Sequence, residues 1–175
     1  MSGNSPFDRF YYGGEANAIS EAAKRGLQFF LNPSLQSANC ISCHRIDTGF
    51  ATFTEARFHN TGVAVDPVTR AILDPGRQAI SGEGRLTGAF RTMTLRNIAL
   101  TAPYMHNGSF KTLEEVMDFY FQSGRANSFL SNDMPRLGLL DIPAALQPQA
   151  KKDLVEFMKT LTGDMPPDAV PPEKR

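Results

Sequence analysis

The chain contains no tryptophan, and it also lacks net charge, long apolar runs and more than two cysteines. Its 18 basic and 18 acidic side chains cancel, so no net field favours nucleic acid or an anionic membrane as partner. No run approaches the roughly 18 apolar residues of a membrane span, and the polar start is unlike a signal peptide. We expect no nucleic-acid partner and no membrane span, and a chain that is mature, trimmed or recombinant.

Phenylalanine takes the place of the missing indole rings. Its thirteen copies suit a core packed around a large flat apolar group. A chain of 175 residues is long enough for one domain with a buried core. We divide it into an irregular lead-in over residues 1–19, a main domain over residues 20–163 and a disordered tail over residues 164–175.

Helices are predicted at both ends of the main domain. Ser20 is a suitable N-cap for a helix that ends near Leu31, with Gly26 and Phe30 on its buried stripe. The last helix is expected over about residues 149–161, with Gly163 as its stop. Small Gly26 would let this helix cross closely, through Phe157 or Leu161.

A third helix follows a capping box formed by Thr112 and Glu115. Its inward stripe has the helical spacing i, i+3, i+4 and i+7 and consists of Leu113, Val116, Met117 and Tyr120. Residues 32–91, by contrast, show no long helical period and read as loops that a bound cofactor would order.

Both cysteines lie in one short motif, Cys-Ile-Ser-Cys-His at residues 40–44. This is the attachment signature of c-type haem, in which both thiols add to porphyrin vinyl groups and the adjacent histidine binds iron. Cys40, Cys43 and His44 therefore predict one covalent haem c. The fold class predicted is all-α, a class I cytochrome c-like domain with long irregular loops around that haem.

Three other uses of the cysteines remain open. A redox dithiol would be expected beside a βαβ pattern, which this chain lacks. Zinc would need Cys40, Cys43 and two further ligands, and His59 and His106 lie too far apart in sequence for a zinc finger. A disulfide would close a very short loop and leave His44 without a role.

Several further motifs resemble the C-terminal haem domain of bacterial dihaem cytochrome c peroxidases and MauG-like proteins, over about residues 18–163. They are the helix AKRGLQFF at residues 23–30, the haem motif, RFHNTG at residues 57–62 and FRTMTLRNIALTAPYMHNG at residues 90–108. The resemblance implies that the second iron ligand lies fourteen residues after His106, which is Tyr120. Tyrosine ligation implies a low-potential haem, and Met117 is the next candidate ligand.

The remaining candidates come partly from the resemblance, which implies the role of His106 and the calcium site, and partly from side-chain chemistry. His106 is expected near the haem without being its axial ligand, and His59 is another histidine able to bind iron. The backbone carbonyls of Thr101 and Pro103 are expected to help hold a calcium ion. Arg96 and Arg57 are either partners of the haem propionates or surface arginines.

The family binds peroxide at a second haem, whereas this chain has a single attachment motif. The resemblance therefore implies an electron-storing haem domain within a periplasmic peroxidase-type oxidoreductase. Its partners would be a second haem domain or subunit and a redox protein: a cytochrome, a cupredoxin or a protein substrate. The alternatives are a free-standing monohaem electron carrier and an open haem that reacts with peroxide directly.

Overall fold

The computed structural model describes residues 3–31, 40–46, 49–134 and 142–164. The helices are α1 (Pro6–Tyr11), α2 (Glu21–Leu31), α3 (Cys40–Cys43), α4 (Gln78–Ser81), α5 (Leu113–Phe121) and α6 (Gln147–Lys159). Short 3-10 turns cover Gly84–Leu86 and Ile98–Leu100. The sheet consists of β1 (Phe58–His59) and β2 (Phe90–Arg91), which pair antiparallel. The described residues thus form the predicted helices and long loops, together with one two-residue antiparallel strand pair that was not predicted.

The packing of α2 against α6 forms the centre of the domain. Ser20 caps α2 by accepting the Ala23 amide at 3.1 Å, as predicted. A Cβ on Gly26 would lie 2.0 Å from the Asp153 carbonyl oxygen and 2.8 Å from Phe157 Cβ. The predicted close crossing is confirmed, and Phe157 is the contact. Arg25 reinforces it by donating to both Asp153 carboxylate oxygens, at 2.8 and 2.9 Å.

The end of α6 differs from its prediction. The helix begins and ends about two residues earlier than expected, and Thr160 rather than Gly163 is its C-cap. Gly163 instead donates its amide to the Asn97 side chain at 3.1 Å. The predicted disordered tail lies outside the described residues from 165 onward. None of the described helices is long and apolar enough to cross a membrane.

The N-terminal segment is not the irregular lead-in that the sequence predicted. Ser5 and Asp8 form a capping box for α1, and the Phe7 side chain is completely buried in the core. Asp8 also grips the buried Arg96, with Oδ2 2.7 Å from Nη1 and Oδ1 2.8 Å from Nη2. These contacts make α1 an integral part of the domain.

Replacing Gly26 by Ala tests the crossing. The added methyl meets backbone atoms that cannot rotate away, so we expect a loss of about 1–3 kcal/mol in the free energy of unfolding, although alanine favours helix. Gly84→Ala is the matched control, since nothing lies within 4 Å of its Cβ position. Urea titrations of both variants measure the difference. Equal stability of the two would contradict the close crossing.

Replacing Asp8 by Asn tests the ion pair through its pH dependence. Burial raises the pKa of Asp8, but hydrogen bonds from Arg96 and Ser5 outweigh it and the net pKa is lowered. A lowered pKa stabilises the fold above the unfolded value of about 3.9, and this stabilisation is lost as the pH falls through the folded value. We expect Asp8→Asn to cost about 3 kcal/mol at neutral pH, because it leaves Arg96 buried without its anion.

Below about pH 4 the wild type and Asp8→Asn should converge in stability. Urea titrations between pH 3 and 7 measure this. Glu15→Gln serves as control, because the Arg9–Glu15 pair is exposed and 3.7 Å long, and exposed pairs contribute little. If the difference in free energy of unfolding between wild type and Asp8→Asn were the same at every pH, the charged Asp8–Arg96 pair would not be its cause.

Candidate functional site

The haem motif forms a single helical turn. Cys40 to Cys43 are α3, and the His44 amide extends the turn by donating to the Cys40 carbonyl oxygen at 2.8 Å. The three side chains thus occupy positions i, i+3 and i+4, which lie on one helix face. Neither cysteine is in a disulfide. Burial raises the pKa of Cys40 to about 12 and that of Cys43 to about 11, the opposite of an activated redox dithiol.

The His44 imidazole is oriented by the backbone. Its Nδ1 lies 2.9 Å from the Phe53 carbonyl oxygen, which can only accept, so Nδ1 carries the proton. Burial lowers the pKa of His44 and keeps the ring neutral at pH 7. Nε2 therefore holds a lone pair, which is the state required of a metal ligand.

Two threonines fix the segment that carries the Phe53 carbonyl. Thr54 Oγ1 donates to the Thr92 carbonyl at 2.6 Å, and Thr94 Oγ1 donates to the Thr52 carbonyl at 2.7 Å. Side-chain hydrogen bonds of this kind replace a regular ladder between the two stretches. The loop that orients His44 is thereby held in place without a long strand.

Tyr120 lies beside the two thiols. Burial, together with negative charge at Cys43 and Cys40, raises its pKa to about 12. Tyr120 is half-buried, and among the described residues no hydrogen bond reaches its hydroxyl. Met117, one turn earlier, is packed into the apolar core. The choice between Tyr120 and Met117 as iron ligand stays a prediction.

A second group of side chains surrounds Cys43. One ligand atom each from Cys43, Glu55 and His59 lie within 4.8 Å of one another. His59 Nε2 is 2.5 Å from Glu55 Oε1, and its Nδ1 is 3.5 Å from Asp133 Oδ2. Glu55 and Asp133 were not predicted, because no local spacing links them to residue 43. This trio is the described arrangement closest to the zinc alternative, and it excludes Cys40.

His106 lies elsewhere, against β2. Its ring stacks on Phe90 with centroids 3.5 Å apart, and its Nε2 is 3.8 Å from Asp74 Oδ2. Burial lowers its pKa. The structure thus brings His59, but not His106, to the cysteines, and the predicted position of His106 near a haem stays a prediction.

The two candidate arginines differ. Arg57 is 77% exposed at its side chain, with Nε 3.8 Å from Glu55 Oε2. Arg96 is buried, and the carboxylate that it grips is Asp8, so it is not a surface arginine. Its pairing with a haem propionate was predicted because a guanidinium seeks a carboxylate, and here the protein itself supplies one.

The carbonyls proposed for calcium are accessible. Residues Thr101 and Pro103 are both exposed. No hydrogen bond among the described residues ends on either carbonyl oxygen. Calcium takes about six to eight oxygen ligands, so two carbonyls would be only a part of its shell.

A covalent haem c fits these residues. Two thiols outside any disulfide sit one turn apart beside a neutral imidazole whose Nδ1 faces the Phe53 carbonyl, and the Tyr120 phenol lies next to them. Three of these groups come from one turn and the fourth from α5. The arrangement and the fold define a c-type cytochrome.

Comparison with known proteins gives the family. Cytochrome-c peroxidase IdrP2 of Pseudomonas sp. (strain SCT) is 35% identical over 92% of this chain and 45% of its own length. A solved MauG-like protein associated with microbial copper homeostasis is 32% identical, with a TM-score of 0.71 over 98% of this chain and 52% of that one. The diheme peroxidase BthA from Burkholderia thailandensis E264 is 25% identical, with a TM-score of 0.61 over 91% and 46%.

The chain belongs to the family of bacterial dihaem cytochrome c peroxidases and MauG-like proteins. It spans about half the length of the relatives it matches. No family model matches it.

Cysteine variants distinguish haem from zinc. With haem, Cys40→Ser and Cys43→Ser each remove one thioether and shift the pyridine haemochrome band, and the double variant releases its haem into acidic acetone. A zinc site would be weakened by Cys43→Ser and Glu55→Gln but not by Cys40→Ser. Haemochrome spectra and metal analysis of the purified protein measure both. Stoichiometric zinc that survives Cys40→Ser would overturn the haem assignment.

Proposed function

We propose that this chain is the C-terminal haem domain of a dihaem peroxidase-type oxidoreductase, with one haem c attached to Cys40 and Cys43. His44 and Tyr120 are its iron ligands. The observation that carries the proposal is the neutral, backbone-oriented His44 directly after Cys43, with the Tyr120 phenol beside both thiols. A haem bound here supplies one-electron redox chemistry.

The ligand pair defines what the protein contributes. The Phe53 carbonyl holds the Nδ1 proton of His44 and makes Nε2 a stronger donor. Tyr120 must release its phenolic proton to bind iron, and ferric iron favours that release. An anionic oxygen ligand then stabilises the oxidised state, which lowers the reduction potential.

The role that follows is electron transfer and storage of oxidising equivalents during peroxide-dependent oxidation. Peroxide would react at a haem in a second domain or subunit, since the relatives are about twice as long as this chain. The redox partner would be a cytochrome, a cupredoxin or a protein substrate. The proposed compartment is the periplasm, where the family attaches haem c.

Three accessory roles complete the proposal. Thr101 and Pro103 would offer backbone carbonyls to a calcium ion at the junction with the second domain. Arg57, which is largely exposed, would pair a haem propionate, with Glu55 as its present neighbour. His106 would line the haem surroundings without binding iron.

A free-standing monohaem electron carrier is the second candidate. One observation favours it: α2, α5 and α6 close a core around the haem motif within this chain. Under this function either Tyr120 or buried Met117 binds the iron. Methionine ligation would give a high potential suited to simple electron transfer.

Replacing Tyr120 by Phe tests the ligand set. We expect the ferric protein to change from six-coordinate to high-spin, and its midpoint potential to rise, because the anionic ligand is lost. Met117→Leu is the matched control on the same helix and should leave the ferric spectrum unchanged. Optical and EPR spectra, before and after one equivalent of hydrogen peroxide, measure both.

Each outcome distinguishes the candidates. A six-coordinate wild type that is inert to peroxide supports an electron-storing domain. A Tyr120→Phe spectrum equal to wild type would refute tyrosine ligation, and a methionine–iron charge-transfer band lost in Met117→Leu would favour the electron carrier. A wild type with high-spin iron and fast peroxide reaction would instead show an open, directly reactive haem.

A further inference from the structure

We propose that α1, through the Asp8–Arg96 ion pair, positions the hydrogen-bond acceptor of His44 and thereby helps to set the redox potential at this site. The inference rests on the proposed function in one respect, namely that His44 binds the iron. It assigns Asp8, Arg96 and Phe7 as positioning residues that act through Phe53.

The first link is the ion pair. Asp8 binds both terminal nitrogens of Arg96, at 2.7 and 2.8 Å, and the two residues are 88 positions apart in sequence. The Arg96 side chain is only 1% exposed and that of Asp8 13%. A bidentate pair with little solvent access has one preferred geometry, so it fixes the guanidinium relative to α1.

The second link joins the guanidinium to the loop after the haem motif. Arg96 Nε donates to the Ala51 carbonyl at 2.8 Å. Its guanidinium carbon lies 5.2 Å from the centroid of the Phe53 ring. From α1 itself, the Phe7 ring meets the Phe53 ring edge-on, with centroids 5.2 Å apart. Two contacts of the Phe53 ring thus depend on α1, while Phe30 of α2 and Phe157 of α6 supply two more, with centroids 5.9 and 6.3 Å away.

The third link is the backbone of Phe53. This bulky residue has φ of +51°, in the left-handed region that non-glycine residues seldom occupy. Such a conformation costs about 1–3 kcal/mol and persists only where the surroundings determine it. The direction of the Phe53 carbonyl, which accepts the His44 Nδ1 proton at 2.9 Å, follows from that conformation.

The consequence concerns ligand strength. A well-aligned acceptor at Nδ1 makes a coordinating imidazole more basic and favours the oxidised metal. If α1 loosens, two of the contacts that hold Phe53 in this conformation are lost, and its carbonyl aligns less well with His44 Nδ1. The ferrous state then gains relative to the ferric state.

Asp8→Asn tests the chain of contacts in the haem-loaded protein. We expect a threefold to tenfold shift of the ferric–ferrous equilibrium toward the ferrous state, where tenfold corresponds to about 59 mV for a one-electron couple. The His44 Nδ1 proton should exchange with solvent several-fold faster. Spectroelectrochemical titration and NMR of histidine-labelled protein measure the two effects.

Asp153→Asn is the matched control. Asp153 also receives a bidentate arginine contact and is also buried, but it lies at the α2–α6 crossing. The Asp153→Asn variant should have a lower free energy of unfolding, with an unchanged reduction potential and unchanged exchange of the His44 Nδ1 proton. If Asp8→Asn takes up no haem, Phe7→Leu replaces it, since it loosens the Phe53 contact and keeps the ion pair.

Loss of stability in Asp8→Asn or Phe7→Leu, without a change in the reduction potential or in the exchange of the His44 Nδ1 proton, would refute the inference. The contacts of α1 with Arg96 and Phe53 would then have only a structural role. A different result, obtained with the wild type alone, would refute the proposed function. If the labelled wild type shows no His44 ring signals shifted by the iron, His44 is not a ligand, whatever the α1 variants do.

Discussion

The hydrogen bond from His44 to the Phe53 carbonyl is the constraint on which the rest of the site depends. A carbonyl oxygen can only accept, so the bond decides which nitrogen carries the proton and which is left to bind a metal. Burial works in the same direction by keeping the ring neutral. The hydroxyls of Thr54 and Thr94 hold the loop that offers this carbonyl. This loop is ordered by hydrogen bonds from side chains to the backbone. Such bonds could not be predicted from its irregular sequence.

The parts of the fold that the sequence predicted are those with local signals. Ser20 caps α2, and Thr112 with Glu115 boxes the start of α5, because capping involves residues only three apart. Helix α1 was missed although Ser5 and Asp8 form the same kind of box. Its six residues are too few to be stable alone. What stabilises α1 is the burial of Phe7 and the grip on Arg96, and neither contact is visible in a local pattern.

In the candidate site, too, the residues linked by local spacing were predicted, and those brought together only by tertiary packing were not. Cys40, Cys43 and His44 form one turn, so their spacing alone indicates their chemistry. The neighbours Glu55 and His59 come from one later stretch of the chain, and no spacing rule could have joined that stretch to Cys43. Arg96 was expected to pair with a haem propionate or to lie on the surface, whereas it is buried and binds Asp8. That its partner is Asp8 depends on a helix that only tertiary packing forms.

Tyr120 and Met117 differ as possible iron ligands in the proton that Tyr120 must lose. Its pKa of about 12 means that the anionic phenolate is disfavoured beside the thiols at neutral pH. A ferric ion would favour that anion, as metal ions favour the deprotonated form of a protic ligand. Methionine would bind iron with no proton to lose. Tyrosine ligation would therefore be tied to the oxidised metal in a way that methionine ligation would not, which suits the proposed storage of oxidising equivalents.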